Sequence, residues 1–424
     1  MHTLAPNQPG ARLGRTVVLG LVVAALGALA AAISSCNGEA QPMRPKPPRG
    51  RSIASIRVRL TARGCRSAKV RTTGGYRLSA GSLTVAESEL ALPPTTVQRT
   101  GRSWRFGDKS FPVGRLVLEP RPGSLVGLGK VRYRGNLHIV PVGTAALVVV
   151  NHVDVESYLA GVLAKELYRK WHIEAYRALA VAARTFALSH VVATSESRPF
   201  DLGSGQDAQV YGGQSAETAR AWQAVRSTHG QVLAYGPPGK ERIFLTQYSS
   251  CCGGRVNPAA VLRVANQIEP LAGGQKCDHC GACPYYRWGP VTVAKSRAYQ
   301  ALVRSHSTAR RLVSLEGVRV TSSTEFGRPI WLNLIGTGGK NMDIRADSLR
   351  LSLLRYRVGR PPKLWSMNCR IEDREKTIVF ADGRGFGHGV GLCQWGAQGK
   401  AANGWTGEQI LDFYYPGAKR FSVY

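Results

Sequence analysis

The sequence predicts an α+β protein in which a β-rich region precedes a mixed core of helices and strands. From Ile53 to about Val150, short alternating segments separated by Gly, Pro and Ser are typical of strands. The longest stretch with helical periodicity follows, from Asn151 to Ala187. Strands and short helices then alternate to the end. A chain of 424 residues is too long for one ordinary domain and has enough apolar residues for a large core.

The first 35 residues have the features of an export signal. Arg12 and Arg15 precede an apolar run from Thr16 to Ile33, and small residues separate this run from Cys36. The run has about 18 residues, which is the short limit for a membrane span. Small residues before Cys resemble a bacterial lipoprotein signal, although Ile33 stands where Leu is usual. We therefore expect residues 1–35 to be removed and Cys36 to be lipidated. An uncleaved membrane anchor and a secreted soluble form are the alternatives.

Residues 36–52 are rich in Pro and basic residues, which predicts a flexible tether between the lipid and the folded regions. The β-rich region 53–150 and the core 151–424 follow. This arrangement predicts a protein of the cell envelope, anchored in a membrane and facing the periplasm or the cell wall.

The chain is strongly basic, with 57 Lys and Arg against 26 Asp and Glu and a formal net charge of +31. Such a charge favours binding to a polyanion, such as an anionic membrane or a cell-wall polymer. The basic residues are scattered, so a compositional bias is the alternative. No motif with interleaved basic and aromatic residues is found, and we therefore expect no nucleic-acid partner.

The core begins with a predicted helix for which Asp154 is the N-cap, with Ser157 as the alternative. Two more predicted helices cover about Glu174 to Val192 and Ser215 to His229. The first helix contains Glu166 among apolar residues. Because apolar surroundings raise the pKa of a carboxyl group, Glu166 is the candidate catalytic acid and base. The alternative is a surface glutamate paired with a neighbouring Lys or Arg.

Enzymes that use a pair of carboxyl groups for acid and base chemistry hold the two roughly 5–9.5 Å apart. Glu156 and Glu174 are nearest to Glu166 in the sequence, and they lie about 15 Å and about 12 Å away along a continuous helix. Neither distance fits, although a break near Trp171 would bring Glu174 closer. The chemistry expected of Glu166 is therefore one that a single carboxyl group can perform.

Five cysteines cluster in an insert at residues 251–283. Cys277, Cys280 and Cys283 form overlapping CxxC pairs, and Cys252 precedes them. Four soft ligands at this spacing predict a structural Zn²⁺ site made of Cys252, Cys277, Cys280 and Cys283. Cys251 and His279 are alternatives for the fourth ligand, and disulfides or free thiols are alternatives to the metal. We expect no metal or other cofactor in catalysis.

Three segments of the core resemble the SpoIID/LytB family. They are NHVDVESYLAGVLAKEL with AVAARTFA at 151–187, QVYGG with YSSCCGG and PYYRW at 209–288, and GRGFGHGVGLCQWGA with FYYPG at 383–417. The resemblance covers about two thirds of the chain, and the third segment is the most specific. Trp395 and Cys393 stand where the motif more usually has Tyr and Ser.

The resemblance implies a peptidoglycan lytic transglycosylase. Such an enzyme cuts between N-acetylmuramic acid and N-acetylglucosamine and leaves a 1,6-anhydro end. The glutamate of the family's helix corresponds to Glu166. A protein that only binds glycan and enhances a cell-wall amidase is the alternative, and in both cases the glycan strands of peptidoglycan are the expected partner.

Several polar and aromatic residues of the core are candidates for substrate binding. Arg184 is a long cation among small residues, and a structural ion pair is its alternative role. His388 lies between glycines that allow close approach of a ligand. The fold is expected to bring this glycine-rich segment against Glu166. The full set of candidates is Arg184, Gln209, Tyr211, His388, Gln394 and Trp395.

Overall fold

The computed structural model describes residues 53–61, 65–112, 114–205, 208–262, 267–356 and 362–424. The predicted export signal, Cys36 and the tether lie outside these residues. Helices and many strands are both present, which confirms the predicted α+β class and the β-rich N-terminal region. Every helix in the described ranges is too short or too polar to span a lipid bilayer.

The β-rich region consists of short strands with alternating burial. In β6, for example, Trp104 and Phe106 are buried while Ser103 and Arg105 are exposed. The strands described before the first helix are β1 (Ser55–Arg59), β2 (Ser67–Thr72), β3 (Tyr76–Ala80), β4 (Leu83–Ser88), β5 (Thr95–Thr100), β6 (Ser103–Phe106), β7 (Lys109–Pro112), β8 (Leu116–Pro120), β9 (Val126–Leu128), β10 (Val131–Tyr133), β11 (Asn136–Val142) and β12 (Ala146–Asp154).

These strands form two sheets. One has the order β10-β9-β2-β5-β6-β7. The other has the order β1-β12-β11-β8-β3-β4 and is extended by β13 (Leu202–Gly203), which pairs in parallel with β1. The second sheet therefore includes a segment from beyond the first two helices, and it joins the β-rich region to the core.

The helices of the described residues are α1 (Val155–Glu166), α2 (Ile173–Ala193), α3 (Ala219–Ser227), α4 (Lys295–Ser305), α5 (Ala346–Arg355), α6 (Gln394–Ala402) and α7 (Gly407–Tyr414). The third helix is shorter than its sequence predicts. Gln214–Ala216 form a separate 3-10 turn, and Thr218 caps α3 by accepting a hydrogen bond from the Ala221 N–H at 3.2 Å. Both α1 and α2 are buried over most of their length.

The later strands are β14 (Gln231–Tyr235), β15 (Arg242–Ile243), β16 (Tyr248–Ser249), β17 (Arg287–Trp288), β18 (Val291–Ala294), β19 (Gly317–Ser323), β20 (Pro329–Ile335), β21 (Asn341–Arg345), β22 (Arg370–Asp373), β23 (Thr377–Ala381), β24 (Gly383–Arg384), β25 (Leu392–Cys393) and β26 (Lys419–Ser422). One hydrophobic core joins the β-rich region to α1, α2, α6 and α7, and a second one joins α4 and α5 to β18–β23. The candidate site is built on the first core.

Candidate active site and cysteine cluster

Glu166 is the last residue of α1. The helix begins where predicted, since the Asp154 side chain accepts a hydrogen bond from the Ser157 N–H at 2.9 Å. It ends at Glu166 because Leu167 is extended, with φ −120° and ψ 149°. The carboxyl group therefore lies at the C-terminal end of a helix, where the helix dipole disfavours a negative charge.

The carboxylate of Glu166 accepts hydrogen bonds from two neutral donors. The Val210 N–H donates to Oε1 at 3.0 Å, and Gln394 Nε2 donates to Oε2 at 3.0 Å. Burial raises the pKa of Glu166, and the two hydrogen bonds oppose this increase without cancelling it. Among the described residues no Lys or Arg forms an ion pair with it. A half-buried carboxyl group with neutral partners is suited to hold a proton and release it.

The Val210 donor is held in place by the residues on either side of it. Gln209 is fully buried; its amide accepts from the Tyr158 hydroxyl at 2.9 Å and donates to the Ala183 carbonyl at 3.2 Å. The Tyr211 hydroxyl donates to Asn151 Oδ1 at 3.0 Å. The described partners of Gln209 and Tyr211 all lie within the protein, and their role in a substrate groove stays a prediction. The polar groups of Gln209 and Tyr211 form hydrogen bonds with other residues of the protein. These bonds fix the loop whose Val210 N–H donates to Glu166.

Arg184 is also buried within the protein. Its guanidinium is fully buried, forms a two-point ion pair with Glu156 at 2.8 and 2.6 Å, and donates to the Gln231 carbonyl at 3.0 Å. The structure shows the ion pair that was the alternative role for Arg184, and its substrate-binding role stays a prediction. A cation in this helix has to be paired because burial of a lone charge is costly.

Gln394 reaches Glu166 because the last glycine-rich segment packs against α1. β25 pairs in parallel with β16, with Ser249 opposite Cys393, and the Trp395 N–H donates to the Ser250 carbonyl at 3.0 Å. These contacts fix the start of α6, whose first residue is Gln394. The contact between Gln394 and Glu166 joins residues 228 positions apart.

Three aromatic rings lie beside these two residues. Tyr168, Trp171 and Trp395 are in mutual contact, with centroids 5.0 to 5.8 Å apart. The Tyr168 ring is 59% exposed, and Trp395 is half-buried. We call these three rings the aromatic patch. Aromatic faces of this kind can pack against the apolar faces of sugar rings.

His388 has a structural contact within its own loop. Its Nδ1 accepts a hydrogen bond from the Val390 N–H at 3.0 Å, and its carbonyl accepts from Asn257 Nδ2 at 3.3 Å. Burial lowers the pKa of His388 to about 4, so the ring is neutral at neutral pH and its proton resides on Nε2. The described contacts of His388 do not include Glu166, and its substrate-facing role stays a prediction.

The two carboxyl groups nearest to Glu166 in the sequence have other partners. Glu156 pairs with Arg184 and accepts from the Tyr424 hydroxyl at 2.6 Å. Glu174 pairs with Arg177 and accepts from the Gly407 N–H at 2.7 Å. Neither contacts Glu166. Among the described hydrogen bonds neither carboxyl group is a partner of Glu166, and the single-carboxyl chemistry stays a prediction.

The cysteine cluster differs from its prediction in one member. The Sγ atoms of Cys252, Cys277, Cys280 and Cys393 all lie within 4.8 Å of one another. Cys393 takes the place predicted for Cys283, whose Sγ accepts from the Tyr285 N–H at 3.4 Å outside this group. The predicted ligand set is therefore corrected at one position: Cys283 lies outside the group of four sulfurs and Cys393 belongs to it. Its replacement is brought in by β25, far along the chain, which spacing alone does not reveal.

Comparison with known proteins shows the family of this chain. The sequence profile of the SpoIID family, described as Stage II sporulation protein, matches residues 144–235. An uncharacterized protein of Brachyspira hyodysenteriae is 31% identical over 303 residues, which cover 71% of this chain and 75% of the relative. The chain belongs to the SpoIID family. The profile match includes Glu166, Val210 and Arg184, whereas Gln394 and the cysteine cluster lie outside it.

Two further relatives have informative names. Stage II sporulation protein D of Bacillus subtilis is 27% identical over 299 residues, covering 66% of this chain and 78% of that protein. The amidase enhancer of Bacillus subtilis is 25% identical over 293 residues, covering 61% of this chain and 39% of the enhancer. This SpoIID-family chain therefore matches most of the sporulation protein and less than half of the enhancer.

Sequence reasoning missed Val210, Tyr168 and Cys393 as members of these sites. The Val210 contribution is a backbone N–H, for which the sequence carries no signal. Tyr168 and Trp171 follow the helix end directly, and their spacing from Glu166 is the signal that could have pointed to an aromatic surface beside the acid.

Proposed function

We propose that this SpoIID-family protein is an exported peptidoglycan lytic transglycosylase in which Glu166 is the only acid and base. The observation that supports it most is the state of the Glu166 carboxyl group. It is half-buried at the end of α1, its partners are neutral, and its pKa is raised. Such a group is protonated more readily than an exposed glutamate, as a general acid must be.

In the first step, Glu166 donates its proton to the oxygen of the glycosidic bond between N-acetylmuramic acid and N-acetylglucosamine. The bond from C1 of the muramic acid to this oxygen breaks, and the oxygen leaves as the hydroxyl of the glucosamine. The negative charge that develops on Glu166 is stabilised by the Val210 N–H and the Gln394 amide.

In the second step, the carboxylate takes the proton from the 6-hydroxyl of the same muramic acid. The 6-oxygen bonds to C1 and closes the 1,6-anhydro ring, and Glu166 returns to its protonated form. Protons and bonds balance without water, so no second carboxyl group is needed to activate it. This agrees with the separate engagement of Glu156 and Glu174.

The surroundings of Glu166 suit a glycan strand. The aromatic patch offers exposed ring surface next to the acid. The net charge of +31 favours approach to a polymer that carries carboxylates on its peptides and on its attached anionic polymers. Export through the N-terminal signal and lipidation of Cys36 would keep the protein at this substrate. Recovery of the full chain in the soluble fraction would contradict the lipid anchor.

The test is product analysis on purified sacculi with the wild-type protein and Glu166→Gln. The substitution removes the proton donor, and we expect the release of anhydro-muropeptides to fall by about 10²–10⁴-fold. The fold should be kept, since the new amide can accept from the Val210 N–H and donate to Gln394 after a flip of the Gln394 amide. Glu89→Gln is the matched control, because the Glu89 side chain is 80% exposed. Full activity of Glu166→Gln would refute the mechanism.

The rival function is a glycan-binding enhancer of a cell-wall amidase, which the similarity to the amidase enhancer favours. The same assay separates the two when an amidase is added. Appearance of 1,6-anhydro ends without amidase supports cleavage by this protein. Faster peptide release by the amidase, with no anhydro ends and no effect of Glu166→Gln, supports the enhancer.

A further inference from the structure

The four sulfur atoms of Cys252, Cys277, Cys280 and Cys393 have the spacing of a tetrahedral metal site. All lie within 4.8 Å of one another, and all four residues are buried. A Zn–S bond length of about 2.3 Å places the four sulfurs of a tetrahedron about 3.8 Å apart. The Cys252 and Cys280 Sγ atoms are 3.8 Å apart. One ion of this size would fit between the four thiols.

Hydrogen-bond donors surround these sulfurs as they would surround metal-bound thiolates. Cys393 is the N-cap of α6, and its Sγ accepts from the Gly396 N–H at 3.3 Å and from the Cys252 N–H at 3.3 Å. The Tyr414 hydroxyl lies 3.0 Å from the Cys277 Sγ. Donors at a helix N-terminus stabilise the ionised form of a thiol, which is the form that binds a metal.

A buried cation lies close to the same group. Lys400 is only 2% exposed, and its ammonium lies 3.8 Å from the ring centroid of Trp405 and 3.5 Å from that of Phe413. It is within electrostatic reach of Cys277 and Asp278. Four thiolates around one divalent ion carry a net charge of −2, so a buried ammonium nearby compensates part of it. A cluster of neutral thiols would not need such a cation.

The ligands come from segments that are distant in the sequence. Cys252 follows β16, Cys277 and Cys280 lie on a short turn, and Cys393 ends β25. The turn reaches α6 only because Gly396 has no side chain, since a Cβ there would lie 2.5 Å from the Cys277 Sγ. The residue after Cys393 is Gln394, which bonds to Glu166. A metal at this point would therefore fix the start of α6 relative to α1.

We propose that Cys252, Cys277, Cys280 and Cys393 bind one structural Zn²⁺ ion that holds Gln394 in place against Glu166. The zinc has no part in the chemistry. It crosslinks the cysteine-rich turn to α6, as a disulfide would, but without dependence on an oxidant. The proposal does not require that the protein be a lytic transglycosylase, because its readouts are metal content and local order.

The first test is metal analysis of the full chain purified without chelators. We expect about one zinc per chain in the wild type, and a loss of most of it in Cys393→Ser. Cys283→Ser is the matched control, since Cys283 is buried in the same region but lies outside the group of four, and it should keep its zinc. Zinc retained in Cys393→Ser, or a metal-free wild type with two disulfides among these cysteines, would overturn the proposal.

Two measurements keep the proposal testable if Cys393→Ser does not fold. X-ray absorption at the zinc edge of the wild type should show four sulfur neighbours at about 2.3 Å, and nitrogen or oxygen neighbours would contradict the ligand set. Removal of zinc from the wild type by a chelator should speed hydrogen exchange in residues 394–402 by about tenfold or more, while the β-rich region is unaffected. Unchanged exchange in α6 would refute the positioning role.

Discussion

The two ends of α1 each carry a glutamate, and the two have opposite kinds of partner. Glu156 is buried and Glu166 is half-buried. Glu156, in the first turn, faces the guanidinium of Arg184, the Gly230 N–H and the Tyr424 hydroxyl. Although burial alone would raise its pKa, these partners lower it below the ordinary value of a glutamate. Glu166, in the last turn, has the Val210 N–H and the Gln394 amide as its partners among the described residues, and its pKa is raised. Eleven residues of one helix thus hold both a fixed charge and a group ready to take up a proton.

The difference shows what separates a structural carboxylate from a catalytic one in this fold. Glu156 is buried and Glu166 is half-buried, but desolvation raises the pKa of both, so desolvation alone does not distinguish them. The distinction is the presence of a cation, together with the position in the helix dipole, which favours a negative charge at the first turn and disfavours it at the last. The sequence makes Arg184 a candidate substrate ligand, but its ion pair is with Glu156 at the first turn of α1.

Removal of one partner at the structural end should have the largest effect on stability. Glu156→Gln leaves the buried Arg184 without its counter-charge, and we expect the free energy of unfolding to fall by about 3–5 kcal/mol. Glu166→Gln should cause no such loss because no cation depends on that carboxylate. Denaturant unfolding of the two variants at neutral pH measures both.

A double variant sharpens this prediction. Glu156→Leu combined with Arg184→Met removes both charges, and it should recover a large part of the stability lost in Glu156→Gln, since an unpaired buried charge is then absent. If Glu156→Gln and Glu166→Gln lost the same free energy of unfolding, the distinction between a structural and a catalytic carboxylate at the two ends of α1 would be wrong.

At the catalytic end, Gln394→Met should reduce activity by about tenfold or more. It removes a neutral donor to a carboxylate while keeping a side chain of similar length, and a hydrogen bond to a charged group contributes about 1.5–3 kcal/mol. Because the lost bond favours the ionised form, the pKa of Glu166 should rise further. The alkaline limb of the activity profile should then move to higher pH, which a merely structural loss would not cause.

Glu408→Gln in α7 is the control for this variant, since Glu408 is exposed and pairs only with Arg420 among its described contacts. A reduced activity in Gln394→Met without any movement of the pH profile would mean that Gln394 supports the fold of α6 and not the charge on Glu166.

The local features of the fold could be predicted from the sequence. Alternation identified most strands before α1, and Asp154 marked the start of that helix, because both signals depend on neighbouring residues. Short strands such as β5, β6, β7 and β9 are harder to delimit from the sequence, since they have few residues and their burial depends on the facing sheet. Glu166 stood out as an acid among apolar residues, and this is also a local signal.

The partners within the site could not be read in the same way. Arg184 pairs with Glu156 and Cys393 joins Cys252 only because the fold packs distant segments together. Gln394 was indicated by the family resemblance and not by any local pattern. Spacing rules favoured Cys283 over Cys393 because they count along the chain, whereas a metal site depends on distances in space.

The smallest predicted effect is on the pH dependence of stability, and it should have opposite signs at the two ends of α1. Because the pKa of Glu156 is lowered in the folded protein, its carboxylate stabilises the fold at pH values above the pKa of an unfolded glutamate, about 4.3. This stabilisation is lost as the pH falls through the pKa of the folded protein. Because the pKa of Glu166 is raised in the folded protein, its protonated form is the one that stabilises the fold. This stabilisation is complete below pH about 4.3 and is lost as the pH rises through the pKa of the folded protein.

The difference in unfolding free energy between each variant and the wild type therefore isolates each group. The deficit of Glu156→Gln should shrink as the pH is lowered into the acid range. Glu166→Gln should be as stable as the wild type or more stable at neutral pH, and this advantage should disappear on acidification, because the wild-type carboxyl group then carries its proton as well. Urea unfolding at matched pH values measures both curves. The two differences in unfolding free energy could instead change with pH in the same direction. Glu166 would then be charged and stabilised in the folded protein, and a carboxylate that is already charged could not begin the reaction as an acid.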